Sequence, residues 1–183
     1  MRYFFARLVF LPTYAWNLLL GRILRQRHWW DPIEPRIILG ARPLRRDVQT
    51  LVEQGVGGVV NMCQEYQGPI DLYDHYNIEQ LWLPTIDFQS PSLEFVIQGV
   101  EFIQRKVESG KGVYIHCKAG RARSATVALC WMVKYRGMTA EQAQAKLLDC
   151  RPHVNPKIYM REVVVDFVKQ LPTPLGSPQA KST

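Results

Sequence analysis

The sequence predicts a single α/β domain built on a central, mostly parallel sheet flanked by helices. Three observations carry this. A chain of 183 residues suits one sizeable core. Short apolar runs bounded by glycine alternate with longer segments of helical periodicity, as in strands joined by crossover helices. Finally, the apolar run Gly112–His116 leads directly into Cys117, and a longer apolar stretch follows from Ser124. That puts reactive side chains beyond the carboxyl end of a strand, where open α/β sheets bind their ligands.

The elements follow in order. Asp31–Pro35 reads as a linker, and Arg36–Leu39 as a short strand ending at Gly40. Asp47 to Glu53 suggests a helix closed by Gly55, and Val56–Met62 a second strand. Ile78–Leu83 is a third strand, after which Ser90 and Pro91 supply an N-cap and first-turn proline. The helix they open repeats Leu93, Val96, Ile97, Val100, Ile103 and Val107 and stops at Gly110. Gly112–His116 is the fourth strand. The stretch from Ser124 to Tyr135 is apolar nearly all round, which predicts a central buried helix ended by Gly137. Thr139 and Gln142 fit a capping box, and Asn155 and Pro156 open a last helix that ends near Leu171. The folded domain is thus expected over residues 31–171, and the Pro/Ser/Lys-rich residues 172–183 are expected to be a disordered tail.

Charge is unevenly spread. Residues 1–30 hold Arg2, Arg7, Arg22, Arg25 and Arg27 and no acid, so removing those five from the net +7 leaves +2 for the rest. This argues against a broadly basic nucleic-acid surface. Arg7 and Arg22 bracket only 14 uncharged residues, Pro12 and Asn17 among them, whereas a spanning helix needs about 20. The segment 1–30 is therefore expected to be a basic, aromatic targeting or membrane-interface segment, with Trp16, Trp29 and Trp30 near the boundary. The alternatives are a helix packed on the domain, a tilted span starting near Tyr3 and a cleaved signal peptide. The four cysteines, Cys63, Cys117, Cys130 and Cys150, form neither a CxxC pair nor a zinc pattern, which suits a reducing compartment.

The segment His116-Cys117-Lys118-Ala119-Gly120-Arg121-Ala122-Arg123-Ser124 carries the chemistry. A loop between strand and helix can aim several backbone N–H groups at one point, with a helix N-terminus behind them. Such a cradle binds a phosphate dianion through the loop residues 118–123, and the same field lowers a thiol pKa, making Cys117 a nucleophile. Gly120 permits the tight backbone. Arg123 offers a planar clamp on the phosphoryl oxygens. Lys118 and Arg121 read either as solvated charges beside an anion site or as extra contacts to a strongly anionic headgroup.

The Cys-x5-Arg spacing, preceded by His116 and followed by Ser124, resembles the protein tyrosine and dual-specificity phosphatase superfamily. The resemblance implies a dual-specificity phosphatase-like fold and hydrolysis of a phosphate monoester through a phosphocysteine, without metal or other cofactor. It gives Ser124 the role of assisting thiolate release and His116 that of ordering the loop, although His116 also fits a strand histidine with no chemical role. It further implies an acid on a loop about 30 residues before the cysteine. Asp87, after Leu81–Ile86, fits; Asp71 and Asp74 compete but precede the third strand. Cys63 is similar in position to a cysteine of some phosphoinositide phosphatases that bridges to the nucleophile, which makes it a candidate redox partner.

Within the superfamily, Leu39-Gly40-Ala41-Arg42-Pro43, residues 60–66 and the N-terminal apolar-basic segment resemble mitochondrial-type phosphatases acting on phosphatidylglycerophosphate. Gln64 and Ala122 depart from that pattern. The resemblance implies an anionic phospholipid substrate and a membrane-associated enzyme, at the mitochondrial inner membrane in a eukaryote or the cytoplasmic membrane face in a bacterium. The alternatives are a phosphatase of phosphotyrosine or phosphothreonine proteins and an inactive phosphate-binding module. The last would be marked by loss of Cys117 or Arg123, and both are present.

Overall fold

A computed structural model of the chain describes residues 27–172, together with Pro12, Ala15, Trp16 and residues 18–20. Most of the segment expected at a membrane interface, and the tail from residue 173, lie outside the described residues.

The sheet has five strands: β1 (Trp30–Glu34), β2 (Ile37–Gly40), β3 (Val56–Cys63), β4 (Glu79–Thr85) and β5 (Gly112–His116). Their spatial order is β1-β2-β5-β3-β4; only the β1–β2 pair is antiparallel. Period-two alternation explains why both faces are covered. Ile37, Leu39, Val60, Met62, Val113 and Ile115 point into one apolar cluster, and Ile38, Val59 and Tyr114 into another. The second cluster is closed by Val48 and Leu51 of α1 (Asp47–Glu53) and Tyr73 of α2 (Ile70–His75). The first lies under α3 (Leu93–Glu108), α4 (Arg123–Arg136), α5 (Ala140–Cys150) and α6 (Glu162–Gln170). Every residue of α4 from Arg123 to Val133 is buried, as its all-round apolar sequence predicts. Gly137 ends α4 in the left-handed conformation, and the Thr139–Gln142 capping box opens α5.

Four local expectations are corrected. Asp31–Pro35 is not a linker. Most of it is the edge strand β1, where a proline without an N–H is tolerated. Trp29 and Trp30 are not boundary residues of a membrane segment: Trp29 is buried and donates its indole N–H to the Arg42 carbonyl at 3.0 Å. Trp30 stacks edge-on against Tyr114 at 6.0 Å. The cap of α3 is Ser92, which accepts from the Phe95 N–H and leaves Pro91 outside the helix. Asn155 and Pro156 do not start α6. The Asn155 side chain instead accepts from the Lys157 N–H, and a short 3-10 turn at Ile158–Met160 precedes the helix.

Candidate active site

The carboxyl ends of β3, β4 and β5 meet at one edge of the sheet, where Asn61 pairs with His116 and Cys63 with Thr85. The loop from Cys117 to Ala122 leaves β5 there and enters α4 at Arg123. Two glycines let it close. Gly120 has φ +64°, and a Cβ on it would sit 2.4 Å from the Gly40 carbonyl oxygen. A Cβ on Gly40 would in turn meet the Tyr114 hydroxyl at 2.2 Å. The β2 exit and the loop therefore pack backbone against backbone.

Cys117 is buried at the base of a cavity of about 290 Å³. Burial pushes its thiol up. The Arg123 charge, the Ser124 hydroxyl donating to Sγ at 3.2 Å and the backbone N–H groups of Ser124 and Arg121 outweigh it, bringing the thiol down to about 7. A large fraction is thus thiolate at neutral pH. At Cys63 burial outweighs the pull of the Arg123 and Arg42 charges, and at Cys130 burial acts alone, so both thiols are pushed up.

Arg123 is 2 % exposed and fully engaged. Its Nη1 donates to Glu65 Oε2 at 3.0 Å and to the Thr85 carbonyl at 2.7 Å, and its Nη2 donates to Glu65 Oε1 at 2.9 Å. Burial disfavours its charge, but the bidentate Glu65 bonds and the nearby thiols hold it firmly ionised. Asp87 sits opposite: Oδ1 lies 2.9 Å from Arg123 Nη2, and Oδ2 pairs with Lys118 Nζ. The Asp87 turn is tight; Phe88 adopts φ +65° and its N–H bonds the Asp87 carboxylate at 3.1 Å. Lys118 Nζ also lies 5.0 Å from the center of the Phe88 ring.

Of the residues singled out in the sequence, the structure brings Cys117, Lys118, Ala119, Arg121, Ala122, Arg123 and Asp87 around the one cavity. Gly120 supports the loop from below and Ser124 touches the sulfur. Asp71 is elsewhere, paired with Arg45 on the surface at 2.6 Å, and Asp74 shares its helix α2. His116 is buried between the Tyr114 and Tyr66 rings. Burial, aided by the Arg123 and Arg42 charges, brings its imidazole down to about 3, which keeps it neutral.

Residues 37–170 match the dual specificity phosphatase catalytic domain. The chain belongs to the dual specificity phosphatase family. This phosphatase is 38% identical over 180 residues to phosphatidylglycerophosphate phosphatase PTPMT2 of Arabidopsis thaliana, covering 97% of this chain and 77% of that one. It is 32% identical to phosphatidylglycerophosphatase and protein-tyrosine phosphatase 1 of Homo sapiens, covering 91% and 87%. A crystal structure of PTPMT1 in complex with PI(5)P superposes with TM-score 0.71 at 31% identity, covering 78% of this phosphatase and 96% of the other chain.

Two residues of the phosphatase's site went unassigned in the sequence. Glu65 stands in the sequence only as part of the resembling segment 60–66, yet it fixes the Arg123 fork. Arg151, 1 % exposed, donates to the Gly120 carbonyl at 3.0 Å and the Ala119 carbonyl at 3.1 Å and pairs with Asp31. It turns the loop carbonyls outward, which leaves the loop N–H groups facing the sulfur. Glu65 lies just past the end of β3 and Arg151 at the end of α5, and a lone charged residue at either place gives no sequence signal for its role.

Proposed function

We propose that the protein hydrolyses the terminal phosphate monoester of phosphatidylglycerophosphate or a related anionic phospholipid. The observation that carries the chemistry is a Cys117 thiol held near 7 at the base of a cavity, facing Arg123 and Asp87. The Cys117 thiolate attacks phosphorus while the P–O bond to the alcohol breaks, and Asp87 protonates the departing oxygen. The incoming phosphoryl oxygens replace the Asp87 carboxylate on Arg123 and meet the loop N–H groups, whose hold tightens as charge spreads. Water then attacks the phosphocysteine, Asp87 takes its proton, and the Ser124 hydroxyl stabilises the departing thiolate. His116, buried and neutral, orders the loop by packing.

The names of the relatives support the lipid substrate. The cavity supports it too: about 290 Å³ lies at the small end of ligand pockets, enough for a headgroup while acyl chains stay in the bilayer. The arginines of residues 1–26 support a membrane-surface location. No described helix is long and apolar enough to cross a membrane. The test is a substrate panel of phosphatidylglycerophosphate in mixed micelles, phosphotyrosyl and phosphothreonyl peptides and an aryl phosphate, with Cys117→Ser as control. The reading requires the lipid to have the highest kcat/KM and the control to be inactive. Faster turnover of a phosphopeptide would reassign the substrate, and an active Cys117→Ser would remove the mechanism.

A further inference from the structure

The cavity does not end at the phosphate loop. Beyond Cys117 it is lined by Arg27, Arg121 and Asn155, with Trp16 and Phe88 at its rim. Arg121 belongs to the loop, but its Nε donates to the His153 carbonyl at 2.8 Å, which turns the guanidinium from the sulfur toward residues 153–155. The Asn155 backbone N–H donates to the Arg121 carbonyl at 2.9 Å, and its side-chain oxygen is taken by the Lys157 N–H, so its amide N–H groups are the part left to meet a ligand. Arg27, just ahead of β1, lines the same part of the cavity and lies close enough to Arg121 for the two charges to repel.

This part of the cavity is cationic without local compensation. Neither Arg27 nor Arg121 has an acidic partner among the described residues; Asp31, the nearby acid, is taken by Arg151 and His28. Desolvation and the Arg27 and Arg151 charges lower the Arg121 pKa against the pull of Cys117, so like charges are held together here. Two adjacent guanidiniums and a neutral amide donor form a site for an oxyanion. It is distinct from the donors facing Cys117, which are Arg123, Lys118 and the loop N–H groups.

We propose that Arg27, Arg121 and Asn155 form a second phosphate subsite. It takes the phosphodiester of a substrate whose scissile monoester sits on Cys117, and so selects glycerol-bridged molecules carrying both phosphates. This rests on the lipid-phosphatase reading and deepens it: the headgroup is gripped at two phosphates, and the grip is independent of acyl chains and membrane. Trp16 and Phe88, 60 % and 67 % exposed, form the apolar rim across which the acyl portion leaves.

The experiment uses soluble probes so that membrane binding plays no part. Deacylated phosphatidylglycerophosphate carries both phosphates; glycerol 3-phosphate carries the monoester alone. The wild-type protein is expected to favour the former in kcat/KM at least tenfold, the worth of about one charge-assisted hydrogen bond. Arg27→Gln should cut that ratio about five- to tenfold through KM, Arg27→Lys should retain part of it, and Asn155→Asp should cut it by repulsion. Thermal melting checks that each variant is folded. A wild-type ratio near one, or a ratio untouched by both Arg27→Gln and Asn155→Asp, overturns the subsite. The underlying reading fails separately, when the wild type prefers a phosphopeptide over the intact lipid.

Discussion

Ser124→Ala isolates one contribution to the thiolate. The Ser124 hydroxyl donates to Cys117 Sγ at 3.2 Å, and it does so best when the sulfur is charged, so its loss must move the thiol pKa upward. A hydrogen bond to a charged group is worth about 1.5–3 kcal/mol, which at about 1.4 kcal/mol per unit raises the pKa by about one to two units. Starting from about 7, the variant should titrate near about 8–9. Arg123 and the loop N–H groups are unaltered by the change, so no other contribution moves with it. At neutral pH the thiolate fraction then falls from about half to about 1–10 %, and the first chemical step slows in proportion. The assay is the rate of iodoacetamide inactivation against pH, whose midpoint reports the thiol directly and needs no turnover. For the wild type, kcat/KM should lose activity as pH falls through about 7, because the thiolate is protonated there. A Ser124→Ala midpoint that stays near 7 would refute the assignment of the hydroxyl and leave Arg123 and the backbone to account for the whole shift.

Asp87→Asn should slow an alkyl phosphate about a hundredfold and p-nitrophenyl phosphate only a few-fold, since a good leaving group needs no proton; equal losses would reopen the search for the acid. Deleting residues 1–26, which keeps Arg27 and β1, removes four arginines worth about 1 kcal/mol each near an anionic surface, so sedimentation with anionic liposomes should fall at least about tenfold. Unchanged sedimentation would leave those residues without an interfacial role. Peroxide should convert the Cys117 thiolate to a sulfenic acid, which the Cys63 thiol condenses with, releasing water and forming a disulfide that dithiothreitol reverses. Burial keeps Cys63 protonated, so the bridge should form more slowly than the sulfenic acid. The absence of a Cys63–Cys117 crosslinked peptide by mass spectrometry, with full recovery of Cys63→Ser, would leave Cys63 as packing.

What could be read from the sequence was local. The Cys117–Arg123 loop lies within seven consecutive residues between a strand and a helix, both announced by their own apolar patterns, so its place at the sheet edge followed from those patterns. The capping box of α5 and the buried helix α4 were legible for the same reason. Elements with weak local signals were missed. Helix α2 has six residues, too few for a period to show, and β1 carries Pro32 and two acids that suggest a linker until the β2 ladder and Arg151 are seen. Arg151 and Asp31 stand 120 residues apart, and Arg123 and Glu65 58, so no spacing rule connects them.

Those distant pairs decide how the local motif behaves. Cys-x5-Arg supplies a thiol and a guanidinium, but a flexible arginine beside a buried thiol would sample other partners and lose much of its effect on the sulfur. Glu65 removes that freedom by holding both Nη atoms, so that Arg123 stands as a fixed charge beside Cys117. Arg151 does the same for the backbone by tying down the Ala119 and Gly120 carbonyls, and its own charge is balanced by Asp31 from the strand that follows Arg27. One buried ion pair thereby joins the phosphate loop to the stretch of chain that delivers Arg27 to the cavity rim. Geometry at the sulfur and geometry at the proposed second phosphate therefore share an anchor. Loss of Asp31 should disturb both at once, whereas loss of Arg27 should touch only the second.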